Sequence, residues 1–145
     1  MRIRTNSRSR GAFTLVEIMV VVIVIGILAA TIIPQFMTTK HDAMVAAAKD
    51  HISVLNSALS AFYLHMDRYP TSEEGLKVLV EKPQDDADKW RGPYVQMLRN
   101  DPWGTPYQYH CPGTHGTAPY DLWSRGADKA DGGTGDNADI GNWMP

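Results

Sequence analysis

The sequence predicts an α+β fold in which one long N-terminal helix packs on a small antiparallel β-sheet of about three strands. Two patterns predict the helix. Residues 13–33, FTLVEIMVVVIVIGILAATII, are apolar apart from two threonines, Gly26 and Glu17. Beyond Pro34, Val45, Ala48, Ile52, Leu55, Leu59, Phe62 and Met66 recur in steps of three and four, which marks one apolar helix face. A third pattern predicts the sheet. From Gly92 the chain is rich in Gly, Pro, Tyr and Trp, with short strand patterns at Tyr94–Leu98, Pro106–Cys111 and Tyr120–Trp123.

At the N-terminus, the first ten residues, MRIRTNSRSR, carry Arg2, Arg4, Arg8 and Arg10 and no acid. A basic head before an apolar run stays in the cytoplasm and sends the rest of the chain across the membrane. The run itself has 21 residues, enough to cross roughly 30 Å of hydrocarbon as a helix. It is longer than the apolar part of an ordinary cleaved signal. An ionised carboxylate inside such a run costs about 3 kcal/mol unless something pairs with it. Glu17 is therefore a functional-site candidate in search of a partner. Gly26 and Pro34 interrupt the helical pattern, and a kink or a locally melted stretch is expected at Pro34.

Residues 34–67 form the amphipathic half. Asp50, Ser53, Asn56, Ser57 and Ser60 fall on its other faces, and His51 and His65 read as solvated. Arg68-Tyr69-Pro70-Thr71 ends the helix. Thr71 reads as an N-cap with Glu74 three residues on, opening a short helix over TSEEGLKVLVEK. A polar loop covers 83–88. Asp101-Pro102-Trp103-Gly104 is a turn between two of the strands.

Charge and cysteine content narrow the function. Four of the 14 Lys and Arg sit in the first ten residues, so the rest of the chain sets ten cations against 16 acids. No basic stripe is present, which argues against nucleic acid binding. Cys111 is the only cysteine, so no intramolecular disulfide is available, and a metal or assembly would have to stabilise a domain outside the cytoplasm. His110, Cys111 and His115 supply three soft donors where a structural zinc site needs four. Neighbours on a strand point to opposite faces, so Cys111 and His110 do not form a nucleophile–base pair. No phosphate loop, nucleophile elbow or paired carboxylates are visible, and an enzyme is the weakest class.

The C-terminal stretch SRGADKADGGTGDNADIGNWMP interleaves Asp128, Asp131, Asp136 and Asp139 with glycines. Calcium takes six to eight oxygens from carboxylates and carbonyls. A calcium loop and a solvated acidic loop are both compatible with this composition. Trp143 near the end predicts a tail that docks.

Gly11-Ala12-Phe13-Thr14-Leu15-Val16-Glu17 resembles the class III signal of type IV prepilin-like proteins. The downstream segments resemble the major pseudopilins of type II secretion systems. They are Arg68-Tyr69-Pro70-Thr71 with Glu74-Gly75-Leu76, Asp101-Pro102-Trp103-Gly104 with Tyr107, Tyr120-Asp121-Leu122, Gly126-Ala127-Asp128 and Ala138-Asp139-Ile140-Gly141-Asn142-Trp143. The resemblance covers nearly the whole chain and implies a pilin-like (pseudopilin) fold with a C-terminal calcium loop.

The resemblance also implies a division into a cleaved basic leader (1–12), a transmembrane and filament-core helix (13–33) and a periplasmic domain (34–145). A prepilin peptidase would cut the leader on the cytoplasmic side and Phe13 would be N-methylated. Family members have Gly before the cut and Phe after it, whereas here Ala12 intervenes. Cutting after Ala12 makes Glu17 the fifth residue and places Gly26 fourteenth and Pro34 twenty-second, as in the family. That register is favoured over a cut after Gly11.

The family resemblance carries further expectations. Calcium would be held by Asp128, Asp136 and Asp139 with the carbonyls of Leu122 and Ser124. The chain would be a structural subunit polymerising with itself into a periplasmic pseudopilus anchored in the bacterial inner membrane, driving export of folded proteins. Phe13, Glu17 and Pro34 would serve assembly, with Glu17 neutralising the N-terminal ammonium of an adjacent subunit. Minor pseudopilins, an inner-membrane assembly platform and its ATPase would be partners. The alternative from another functional class is a type IV pilin for adhesion or motility.

Overall fold

The structure, a computed structural model, describes residues 14–85 and 87–144, without the side chains of 31–39. The chain divides into two compact units, Met1–Thr39 and Lys40–Pro145. Helix α1 runs from Leu15 to Met66. Thr14 caps it, its Oγ1 accepting the Glu17 N–H at 3.2 Å. The helical backbone continues through Gly26 and Pro34, so the melted stretch expected there is not seen. Proline removes one N–H, and the hydrogen bonds on either side of it can hold the turn.

In the second unit the seven-residue stripe is the core. Ala48, Ile52, Leu55, Leu59, Phe62 and Met66 are buried, with Ala58 beside them and Val45 packed on the edge. Ser57 and Ser60 lie on an exposed face and return their hydroxyls to the carbonyls of Ser53 and Asn56. The helix stops at Asp67, whose φ of 55° is left-handed, and Pro70 then stands as a barrier to further helix. His51 is partly exposed and His65 exposed, in keeping with the solvated reading, and each also meets a tyrosine. Their Nδ1 atoms lie 3.1 Å from the hydroxyls of Tyr107 and Tyr94. Both sit at the border of the stripe, where the second layer reaches the helix.

The capping box forms as its spacing requires. Glu74 N–H donates to Thr71 Oγ1 at 3.2 Å, and Thr71 N–H donates to Glu74 Oε2 at 2.8 Å. Arg68 grips the same carboxylate at 2.7 and 2.8 Å. That hydrogen-bonded guanidinium is the main reason the Glu74 carboxyl titrates below its usual range. The helix it opens is shorter than expected, a single 3-10 helix over Gly75–Leu79 that buries Leu76, Val78 and Leu79. Gly75 at φ 57° breaks α-geometry at its start.

The sheet has three antiparallel strands, β1 (Gln108–His110), β2 (Asp121–Ser124) and β3 (Ile140–Gly141), in the order β1-β2-β3. Tyr109 faces Leu122, and Ser124 faces Ile140. Architecture and strand number match the expected α+β fold, but one strand lies elsewhere in the chain. Tyr94–Leu98 is not a strand. Its start is pinned to the 3-10 helix, with the N–H groups of Tyr94 and Val95 both on the Leu79 carbonyl. The third strand is instead the two-residue segment near the C-terminus. Strand β2 lies between two neighbours, and Asp121, Leu122 and Ser124 are all buried.

Aromatic rings fill the space between helix and sheet. Tyr63, Tyr69, Tyr120 and Tyr109 form a chain of ring contacts with centroids 4.8, 4.9 and 5.7 Å apart. The polar ends of the last two are satisfied, Tyr109 Oη donating to the Pro70 carbonyl and Tyr120 Oη to Asn56 Oδ1. Burial pushes the Tyr120 phenol up to about 12, with the Tyr69 hydroxyl adding to it.

Candidate functional site

The first candidate region is the start of α1. From Leu15 to Leu28 the large apolar side chains are between 48% and 77% exposed, on all sides of the helix. A helix apolar all round needs covering by lipid or by other helices. Glu17 stands in this sheath, exposed, and makes no ion pair among the described residues. Gly11, Ala12 and Phe13 lie outside the described residues, as does the side chain of Pro34. Among the described residues no helix is long and apolar enough to cross a membrane; the expected span, 13–33, begins one residue before them and includes 31–33, whose side chains are not described.

The second region is the C-terminal loop between β2 and β3. Two buried aspartates, not recognised from sequence, shape its surroundings. Asp101 closes its own turn, accepting from Trp103 N–H at 3.1 Å and Thr105 N–H at 2.7 Å, while its other oxygen takes the Ser124 hydroxyl at 2.5 Å. Ser124 Oγ in turn accepts the Gly126 N–H. The turn over 101–104 is thereby fastened to the point where β2 ends and the loop begins.

Asp121 does the same on the opposite flank. Its carboxylate accepts the Thr114 N–H and hydroxyl at 2.7 and 2.8 Å, the His115 N–H at 3.1 Å, and faces His115 Nδ1 at 3.0 Å. Burial by itself would raise this carboxyl. The bonds from Thr114 and His115 outweigh it and bring it to about 2. The His115 ring stacks on Trp143 with centroids 4.2 Å apart. Asn142 completes the dock, its side chain bridging the Leu122 N–H and the Tyr120 carbonyl. The tail docks, as Trp143 predicts.

Within the loop the predicted ligands are unequally placed. Asp139 Oδ2 accepts the Gly132 N–H at 2.8 Å, while its Oδ1 is buried without a hydrogen-bond partner. Asp128 Oδ1 accepts the Ala130 N–H at 3.1 Å. Asp136 points outward, 91% exposed, toward His41 Nε2 at 3.7 Å. The Leu122 carbonyl already accepts the Asn142 N–H at 2.9 Å. Among the described residues no three His, Cys, Asp or Glu side chains converge as for a metal. The orphaned Asp139 oxygen nonetheless fits a cation, because a buried carboxylate oxygen without a donor is costly otherwise. Glycines let the loop turn tightly. Gly126 has φ 65°, and a Cβ there would stand 3.0 Å from the Ala138 carbonyl oxygen.

Asp131 is diverted altogether. Arg125 Nε and one of its terminal nitrogens bind its two oxygens at 2.7 and 3.0 Å. Sequence spacing treats the four loop aspartates alike, and only their contacts separate them.

Comparison with known proteins matches both regions. Residues 35–143 match the family model for type II secretion system (T2SS), protein G, and residues 7–33 the prokaryotic N-terminal methylation motif. The chain is 46% identical over 139 residues to the type II secretion system core protein G of Pseudomonas aeruginosa, covering 94% of this chain and 96% of that one. It is 42% identical over 138 residues to that of Vibrio cholerae, covering 94% and 93%. The fold is similar to the crystal structure of the major pseudopilin from the type 2 secretion system of enterohaemorrhagic Escherichia coli. The TM-score is 0.65 at 35% identity, over 74% of this chain and 88% of that one.

Proposed function

The chain belongs to the protein G family of type II secretion systems, the major pseudopilins, and on that premise we propose how its two regions serve the filament. It is a structural subunit of the secretion machinery, not an enzyme. The type IV pilin reading is not favoured, since its relatives here are core proteins of secretion systems.

Subunits anchor in the inner membrane through residues 13–33 and assemble into a periplasmic pseudopilus. The observation that carries this reading is the all-round exposure of apolar side chains from Leu15 to Leu28. Neighbouring copies of the same helix would cover that surface as the filament leaves the bilayer. Prepilin peptidase removes the leader after Ala12, and the ammonium released on Phe13 pairs with Glu17 of an adjacent copy. Pairing turns the cost of a charge in lipid into a constraint on register. Minor pseudopilins, the assembly platform and its ATPase act on the filament so formed. The test is Glu17→Leu in the full chain: pseudopilus assembly and secretion should be lost. Normal filaments would remove the role assigned to Glu17.

In this reading the C-terminal loop holds calcium, which supplies the positive charge that carboxylates and carbonyls converge on. Asp139 and Asp128 would supply side-chain oxygens, with the carbonyl of Ser124 as a further ligand. Asp136 joins by turning inward from His41. The orphaned Oδ1 of Asp139 supports this assignment. With Cys111 as the only cysteine, the metal does the work that a disulfide does in other small exported domains.

A further inference from the structure

The loop contains one guanidinium, and its position bears on how the metal enters. Arg125 directly follows Ser124 at the mouth of the loop. Both oxygens of Asp131 face it, in a side-on pair at 2.7 and 3.0 Å. The next residue, Gly132, donates its N–H to Asp139 Oδ2 at 2.8 Å and accepts the Asp139 N–H at 3.1 Å. One peptide unit therefore separates the arginine's partner from the carboxylate whose second oxygen is buried and unpaired.

A guanidinium stays charged and favours two-oxygen contact with a carboxylate. Released from Asp131, it would have an acceptor waiting nearby in the unpaired oxygen of Asp139. It would then occupy the place of the cation. We propose that Asp131 is not a calcium ligand but a positioning residue that keeps Arg125 away from the Asp139 site. This rests on the calcium reading above. It gives the four loop aspartates distinct tasks: Asp128 and Asp139 face the metal, Asp136 swings, and Asp131 restrains the competing cation.

The experiment is calorimetric titration of calcium chloride into the full chain in detergent micelles, at about 0.15 M salt so that distant charges are screened. Four proteins are compared: wild type, Asp131→Asn, Arg125→Gln and the double variant. Asp131→Asn should weaken calcium binding by about fivefold, the scale of one exposed ion pair. Arg125→Gln should bind at least as tightly as wild type. In the Arg125→Gln background the asparagine substitution should have no effect, because there is no guanidinium left to restrain. An equal loss in both backgrounds makes Asp131 a ligand or a remote charge and overturns the proposal, as does wild-type affinity in Asp131→Asn. Absence of calcium binding by the wild type would overturn the calcium reading itself, and this inference with it.

Discussion

Replacing Asp121 by asparagine removes one charge and nothing in size, so it isolates what the buried carboxylate contributes. The side chain is 2% exposed and receives two bonds from Thr114 and one N–H from His115, with His115 Nδ1 also facing it. Asparagine keeps one acceptor oxygen and turns an NH2 toward donors that then lack a partner. Unsatisfied buried donors cost about 1–3 kcal/mol, and bonds to charged groups are at the upper end. The expected loss is about 2–3 kcal/mol, or roughly 10 °C in Tm for a domain of about 100 residues.

The same carboxylate predicts a pH dependence. Its native pKa is lowered to about 2 from an ordinary 3.8. The contribution is complete above pH 3.8 and is lost as pH falls toward 2, by at most about 2 kcal/mol at 1.36 kcal/mol per unit. Urea unfolding of the full chain in detergent, followed by tryptophan emission, reads both effects, since His115 stacks on Trp143. Wild type should lose stability through this window, and Asp121→Asn should be flatter there. A variant within about 0.5 kcal/mol of wild type at pH 7, or an unchanged acid limb, would refute the reasoning.

Three other outcomes are expected. Phe62→Ala empties a fully buried position in the core, where the ring meets Tyr94 edge-on, and should lower unfolding free energy by about 3–5 kcal/mol in the same urea experiment. Thr71→Ala removes the acceptor for Glu74 N–H; about 1 kcal/mol should be lost, with the 3-10 helix exchanging amide hydrogens faster. Chelation with EDTA should lower Tm, since at a hundredfold excess over its dissociation constant a ligand contributes about 2.7 kcal/mol. An unchanged Tm would remove calcium from the account.

Legibility tracks the range of the interaction. The stripe from Val45 to Met66 can be read because helix period is local, and six of its seven residues are buried as expected. The capping box between Thr71 and Glu74 spans three residues and forms as that spacing requires. The third strand cannot be read. Tyr94–Leu98 has the better strand composition, yet Ile140–Gly141 holds the place because Asn142 and Trp143 anchor it across β2. The tyrosine partners of the histidines at 51 and 65 escape a local reading for the same reason, being 56 and 29 residues away.

By itself, then, the sequence determined the apolar run with its single carboxylate, the buried face of the long helix, its terminators and the resemblance that places the chain. The first three depend on residues within a few turns of each other. Tertiary structure alone decided which aspartates are structural, which is clamped and which keeps a free oxygen. Asp101, Asp121, Asp131 and Asp139 are the same residue type, and their roles differ only in the donors that the folded chain brings to them. A carboxylate's chemistry is set by its hydrogen-bond partners and its burial, and neither exists before the chain has folded.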